Sequence, residues 1–301
     1  METLSTAFHE YAKQCMLLSK SPAVVTEKSV YQEGLDGILF YMDKIVEELI
    51  LPGSGLDGLE NLEDLFTRAE SGKSCLLLLE HYSNLDLSLF SYMVRNAGGR
   101  GRDIGRAIVA IAGMKLNEEN AAVSAFASAY TRIVIYPSRS LESLDGVKDK
   151  AEIVRSNAIN RAAMKALMSV KNKGRLVLLF PSGTRYRPWD PSTKRGVREI
   201  DSYIKSFDYM CLVAINGEVL HVVQGDMMDD TVSKDVVRIT AGPALSCTEF
   251  RDTVRAGVPA GESLSGGQEP VDKKQAVADA VMAELERMHI QGEKKRKQFL
   301  P

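Results

Sequence analysis

Apolar residues along this chain follow two different periods. From Tyr31 to Leu51, the residues Leu35, Ile38, Leu39, Met42, Ile45, Val46, Leu49 and Ile50 recur at the spacing of one helix face, and Pro52-Gly53 ends the run. A shorter helix is predicted over Leu4–Leu18. Beyond Gly72 the pattern changes: Cys75–Leu79 is uniformly apolar, as a strand covered on both faces requires. Ala107–Ala112, Arg132–Tyr136, Leu176–Phe180, Cys211–Ile215, Leu220–Val223 and Val236–Thr240 read as further strands. Between them Leu85–Asn96, Glu118–Ala129 and Glu152–Lys171 read as helices, and Val271–Met288 is predicted as the last one. Ala256–Pro270 has almost nothing to bury and is expected to be a mobile loop. Strands alternating with helices predict an α/β fold, a mixed and largely parallel sheet covered by helices on both faces, preceded by a small N-terminal helical segment. The boundary is placed at residue 55, with 1–55 as the helical segment and 56–301 as the α/β domain.

Composition narrows the function classes. A chain of 301 residues with 45% apolar and 26% charged residues is neither a disordered polymer nor a disulfide-stapled miniature. Its 38 Lys and Arg against 40 Asp and Glu give a net charge of −2, which excludes the cationic footprint of a general nucleic-acid binder. Anion recognition must therefore be local. The cysteines Cys15, Cys75, Cys211 and Cys247 are widely spaced, with no C-x-x-C pair and no neighbouring His, so free thiols are expected and no metal site. The N-terminus lacks a basic start followed by an apolar run, and a cytoplasmic location is expected. No stretch approaches the ~20 apolar residues that span a bilayer, so any membrane contact is expected to be peripheral. Gly72-Lys73-Ser74 precedes a strand and has Thr67 where a phosphate-binding loop has glycine, and no G-x-S-x-G nucleophile elbow occurs.

Two segments carry chemistry. Glu80-His81-Tyr82-Ser83-Asn84-Leu85-Asp86 follows directly on the strand Cys75–Leu79. At the carboxyl end of a strand, where α/β sheets place their ligands, an imidazole projects into a crevice as the chain turns into a helix. A tight turn folds Asp86 back onto His81, fixing its tautomer and stabilising the imidazolium formed when it takes a proton. His9, His221 and His289 have no comparable setting and read as structural. The second segment, Phe180-Pro181-Ser182-Gly183-Thr184-Arg185-Tyr186-Arg187-Pro188, closes a buried strand with a turn and presents two arginines able to converge on one phosphate. Arg139, after the strand Arg132–Tyr136, adds a third cation.

His81 and Asp86 match the H-x-x-x-x-D motif of the glycerolipid acyltransferases, and Phe180–Arg185 resembles their F-P-E-G-T-R block with Ser182 in place of Glu. The order and separation of the blocks also agree, and resemblance runs from about Pro22 to His221. Among subfamilies the chain is most similar to the soluble plastid-type glycerol-3-phosphate acyltransferases, through the Pro-Ser-Gly variant, Arg185-x-Arg187-Pro188 and Asp190-Pro191-Ser192-Thr193. It departs from them at Ser138-Arg139-Ser140, where that subfamily carries Lys-Lys-His.

The resemblance implies that His81, oriented by Asp86, is a general base that activates the sn-1 hydroxyl of glycerol 3-phosphate against a fatty acyl thioester, giving lysophosphatidate. It implies that Arg139, Arg185 and Arg187 bind the acceptor phosphate, with Ser182, Gly183 and Thr184 forming the supporting loop. The thioester of acyl carrier protein (acyl-ACP) or of coenzyme A (acyl-CoA) is the expected co-substrate, with no cofactor. Two other readings stay open: acylation of lysophosphatidate to phosphatidate, and a non-catalytic lipid- or anion-binding module. Arg95, Arg100, Arg102 and Arg106, or Lys171, Lys173 and Arg175, offer candidate surfaces for an anionic donor. The tail Lys294-Lys295-Arg296-Lys297, with Phe299 and Leu300, is either a contact for anionic headgroups or a solvated terminus.

Overall fold

The computed structural model describes residues 1–300 apart from 23, 119, 138–139, 142–144, 146–147 and 259–271. The first part of the chain forms α1 (Leu4–Ala7), α2 (His9–Leu18), β1 (Tyr31–Gln32), α3 (Asp36–Leu49), β2 (Gly55–Asp57) and α4 (Leu59–Glu70). It continues through β3 (Cys75–Leu79), α5 (Asp86–Asn96), α6 (Gly101–Ala107), β4 (Ile108–Gly113), α7 (Lys115–Glu118), α8 (Ala121–Ala127), β5 (Arg132–Ile135), α9 (Lys150–Val170) and β6 (Leu176–Leu179). The last part holds α10 (Ile200–Ser206), β7 (Tyr209–Asn216), β8 (Leu220–His221), β9 (Thr231–Val232), β10 (Arg238–Ala241), β11 (Leu245–Ser246), α11 (Cys247–Gly257) and α12 (Lys273–Arg296).

The main sheet has the order β1-β5-β4-β6-β3-β7-β10-β2, with β11 paired to β7. Strands β5, β4, β6, β3 and β7 run parallel, β1 is antiparallel to β5, β10 and β11 are antiparallel to β7, and β2 runs parallel to β10. The fold is thus mixed α/β with a mostly parallel sheet flanked by helices. Uniformly apolar β3 has its reason in this architecture: Cys75, Leu77 and Leu79 face one core with α2 to α5, and Leu76 and Leu78 face a second core with α9 to α12. All five are fully buried.

The connections after β3 and β6 diverge. After β3 the chain leaves through α5, whose Leu89, Phe90 and Val94 join the first core, to reach β4 beyond β6. After β6 it leaves through α10, whose Ile200 and Ile204 join the second core, to reach β7 on the far side of β3. Adjacent strand ends therefore send their chains to opposite faces, the arrangement that opens a ligand site between them.

Several elements differ from the sequence expectations. The helix expected over Tyr31–Leu51 is confined to Asp36–Leu49, because Tyr31 and Gln32 pair with Ile133 and Arg132 at the sheet edge. Leu4–Leu18 breaks at Phe8, and Glu118–Ala129 is divided between α7 and α8. Leu220 and His221 pair with Val232 and Thr231 in a separate two-stranded sheet instead of joining the main one. Of the expected loop Ala256–Pro270, Ala256 and Gly257 close α11, and residues 259–270 lie outside the described residues.

The last helix runs eight residues beyond the expected Met288, to Arg296. Its basic end is exposed at Lys294, Lys295 and Lys297, but two of its cations are tied to the fold. Lys295 pairs with Asp57 at 2.7 Å and Arg296 with Asp235 at 2.5 Å, and Arg238 lies over the Phe299 ring at 4.8 Å. All four cysteines are buried free thiols, each pushed up to about 12 by burial. Among the described residues no helix is long and apolar enough to cross a membrane.

α12 lies close on β7 because Gly292 carries no side chain. A Cβ there would overlap Asn216 Oδ1, and Asn216 is fully buried and tied through Nδ2 to the His289 carbonyl at 2.9 Å. Gly292→Val is expected to cost about 1–3 kcal/mol by overpacking and to lower the melting temperature by several degrees in a thermal scan. An unchanged melting temperature would show that the helix is not held at this contact.

Candidate active site

The loop after β3 is wound around one carboxylate. Asp86 opens α5 and is 2% exposed. Its Oδ2 accepts hydrogen bonds from the Tyr82 amide at 2.6 Å and the Ser83 amide at 2.8 Å, and lies 2.9 Å from His81 Nδ1. Its Oδ1 accepts from the Ser83 hydroxyl at 2.8 Å. A first-turn carboxylate is also favoured by the helix dipole. Because every neighbour of Oδ2 is a donor, Nδ1 carries a proton and Nε2 keeps its lone pair. The His81 ring lies against the Phe180 ring, centroids 3.9 Å apart and planes at 19°. Among the described residues Asp86 is the only hydrogen-bond partner of the imidazole, and no hydroxyl or thiol of those residues is engaged by it.

The loop after β6 meets the same imidazole. Phe180 supplies the stacking ring, and the Tyr186 amide donates to the His81 carbonyl at 2.9 Å, joining the two strand ends. Gly183, at φ +65°, lets the chain turn back, and its amide donates to the Phe180 carbonyl at 2.9 Å. Ser182 is buried, and its hydroxyl donates to the Thr184 carbonyl at 2.7 Å. Ser182, Gly183 and Thr184 thus build the turn. The Gly183 amide is committed within it and is not a free oxyanion donor.

The three expected phosphate ligands are treated differently. Arg185 pairs with Asp230, which is fully buried and also accepts from the Val223 amide at 3.0 Å. Burial pushes the Asp230 carboxyl above its ordinary range, against the pull of the Val223 amide and of Arg185. Arg185 is therefore largely occupied in holding the β8–β9 segment. Arg187 is different: its amide donates to Thr193 Oγ1 at 2.9 Å, and its guanidinium has no hydrogen-bond or ion-pair partner among the described residues. Arg139 lies outside the described residues. Of the two outlying cationic groups, Arg95 and Arg100 are paired with Asp43 and Glu70, and Arg106 and Arg175 precede β4 and β6, at the edge of the sheet opposite His81.

A third set of groups was not anticipated. Glu80 is 4% exposed, and its carboxylate accepts from the Ile215 amide at 2.8 Å and the Tyr82 hydroxyl at 3.1 Å. His289 Nδ1 lies 3.1 Å from the same carboxylate. Burial by itself lowers the His289 pKa, but its hydrogen bond to Glu80 and that group's charge outweigh burial and raise it. Burial, then Glu80, raises the Tyr82 phenol well above its ordinary value. Asn84 Nδ2, between His81 and Asp86 in the chain, is buried without a partner.

No protein-family model and no curated protein matches the sequence. Among solved structures the chain is similar to the 1-acyl-sn-glycerophosphate (LPA) acyltransferase PlsC from Thermotoga maritima, at 14% sequence identity and a TM-score of 0.44, with 95% of this chain and 91% of that chain covered. So distant a likeness carries no argument here.

The structure thus brings His81, Asp86, Phe180 and the turn Ser182–Thr184 together, and sets Arg187 apart from Arg185. Asp86→Asn places an NH₂ group among donors. It is expected to cost about 1–3 kcal/mol in a chemical denaturation and to turn His81 to the tautomer protonated at Nε2, read from ring nitrogen shifts. A variant with wild-type stability and tautomer would contradict the role given to the carboxylate.

Proposed function

We propose that the protein is an O-acyltransferase that moves a fatty acyl group from a thioester to a hydroxyl of a glycerol phosphate. The observation that carries this reading is the His81–Asp86 pair, set between the loops that follow β3 and β6, with His81 Nε2 bonded to no side chain among the described residues. Such a base acts on a hydroxyl of the acceptor itself. Nε2 takes the hydroxyl proton, the oxygen attacks the thioester carbonyl, the C–S bond breaks, and the imidazolium returns the proton to the departing sulfur. Asp86 stabilises the imidazolium in between. No acyl-enzyme and no metal is required, since the thioester already carries the activation.

The acceptor proposed first is glycerol 3-phosphate, acylated at its sn-1 hydroxyl to lysophosphatidate, as the sequence resemblance implies. Arg187 is its phosphate ligand, with Arg139 as a further cation and Arg185 as the residue that holds the loop. The commitment of Arg185 to Asp230 supports a second reading. A phosphate clamp with fewer free cations suits lysophosphatidate, whose own acyl chain adds apolar binding energy. The donor is acyl-ACP or acyl-CoA, and an amphipathic product fits action at a membrane surface from the cytoplasmic side.

The test is thiol release by the purified protein from an acyl-CoA and an acyl-ACP, with each acceptor supplied separately. Release that requires glycerol 3-phosphate supports the first reading, and release that requires only lysophosphatidate supports the second. Acceptor-dependent release from neither thioester would contradict both and leave a binding module. Arg187→Ala is expected to raise the acceptor KM about tenfold to a hundredfold, the worth of one charged hydrogen bond, with little change in the donor KM. Trp189, the one tryptophan of the chain and half-exposed two residues away, reports acceptor binding by fluorescence. Equal rises in both KM values would sink the phosphate role.

A further inference from the structure

His81 is flanked in the chain by two residues that the acyl transfer does not use. Alternation along the extended strand end sends them the other way: His81 meets Phe180 and Asp86, while Glu80 and Tyr82 meet β7 and α12. The Tyr82 hydroxyl lies 3.3 Å from His289 Nδ1, the two rings are 5.4 Å apart, and Tyr82 meets Tyr186 edge-on at 6.1 Å. Tyr186 is the residue whose amide holds the His81 carbonyl. α12 has a second hold on the same loop: Glu286 pairs with Lys194 at 2.5 Å, and Lys194 stands over the Tyr186 ring at 5.9 Å. Asn216 Nδ2 fixes the His289 carbonyl to the end of β7.

Glu80 is buried deeply enough to need a cation or several donors. Among the described residues His289 is the only group bonded to it that can carry positive charge.

We propose that Glu80, Tyr82 and His289 are positioning residues for His81: through His289 the last helix holds the residues on either side of the base and so sets where the imidazole stands against the β6 loop. The proposal rests on the reading of His81 as the base. Placement matters at this scale because a displacement of about 1 Å at a reacting group costs on the order of a hundredfold in rate.

The groups facing His289 are Glu80, Tyr82, Glu286 and Lys194. Its raised pKa sets the sign of the pH dependence. The hold contributed by its charge is complete below the ordinary value of 6.5 and is lost as pH rises through the higher folded value.

The experiment combines histidine NMR with turnover, using Glu80→Gln, His289→Ala, and His289→Asn, which keeps a donor near the Nδ1 position without the charge. Expected first is a His289 midpoint above 6.5 in the wild type that falls in Glu80→Gln. Expected second are His81 ring resonances that move in His289→Ala and return toward wild type in His289→Asn. Expected third is a kcat about tenfold to a hundredfold lower in His289→Ala, with both KM values little changed and partial recovery in His289→Asn. A His289 midpoint indifferent to Glu80→Gln overturns the proposal, as do His81 resonances indifferent to folded His289→Ala. If His289→Ala does not fold, the titration and His289→Asn decide. A wild-type protein that releases no thiol contradicts the acyl-transfer reading alone, and the NMR readouts still decide the positioning.

Discussion

The Asp86 carboxylate is the constraint from which the site follows. It draws two amides, a hydroxyl and an imidazole from the five residues before it. A buried acid left short of donors is expensive, so the loop closes around it in one way, and that way orients the ring of His81. The same residue starts α5, whose apolar face fixes the loop to the first core. Position, tautomer and helix start are thus coupled in six residues.

Around this loop the sheet topology does the rest. β3 and β6 are hydrogen-bonded neighbours whose chains depart to opposite faces, so His81 and Phe180, just past their ends, stand side by side. Phe180 stacks on His81 and the Tyr186 amide binds its carbonyl, which ties the backbone just before Arg187 to that of His81. The two arginines of this loop differ in their partners. Arg185 answers the buried Asp230, and Arg187 keeps its guanidinium unpaired among the described residues. One guanidinium cannot neutralise a buried carboxylate and remain a full-strength phosphate ligand, which is why the proposed phosphate ligand is Arg187 and not Arg185.

What the sequence showed and what it hid separate by distance along the chain. His81 and Asp86 are five residues apart and declare themselves, as do β3 and β6, whose apolar runs mark strands covered on both sides. Arg185 and Asp230 are 45 residues apart, and Glu80 and His289 are 209 apart, so neither pairing leaves a local pattern. A signal for Glu80 did exist, since an acid continuing an apolar strand has to find donors. α4 carries a helical signal in Leu62, Leu65, Phe66 and Ala69, diluted by the polar residues that dominate its window. The end of α12 was hidden for a different reason: it is held by ion pairs to Asp57 and Asp235, not by an apolar face. Leu220–Val223 has the composition of a core strand, and only tertiary pairing assigns Leu220 and His221 to a small second sheet.

The account stands or falls on His81 as the base, and single-turnover acyl transfer by His81→Ala with saturating acceptor measures that directly. General-base catalysis contributes roughly 10²- to 10⁴-fold, so the account predicts a loss of that size with acceptor binding, followed by Trp189 fluorescence, left intact. Transfer at the wild-type rate by the folded variant would contradict it.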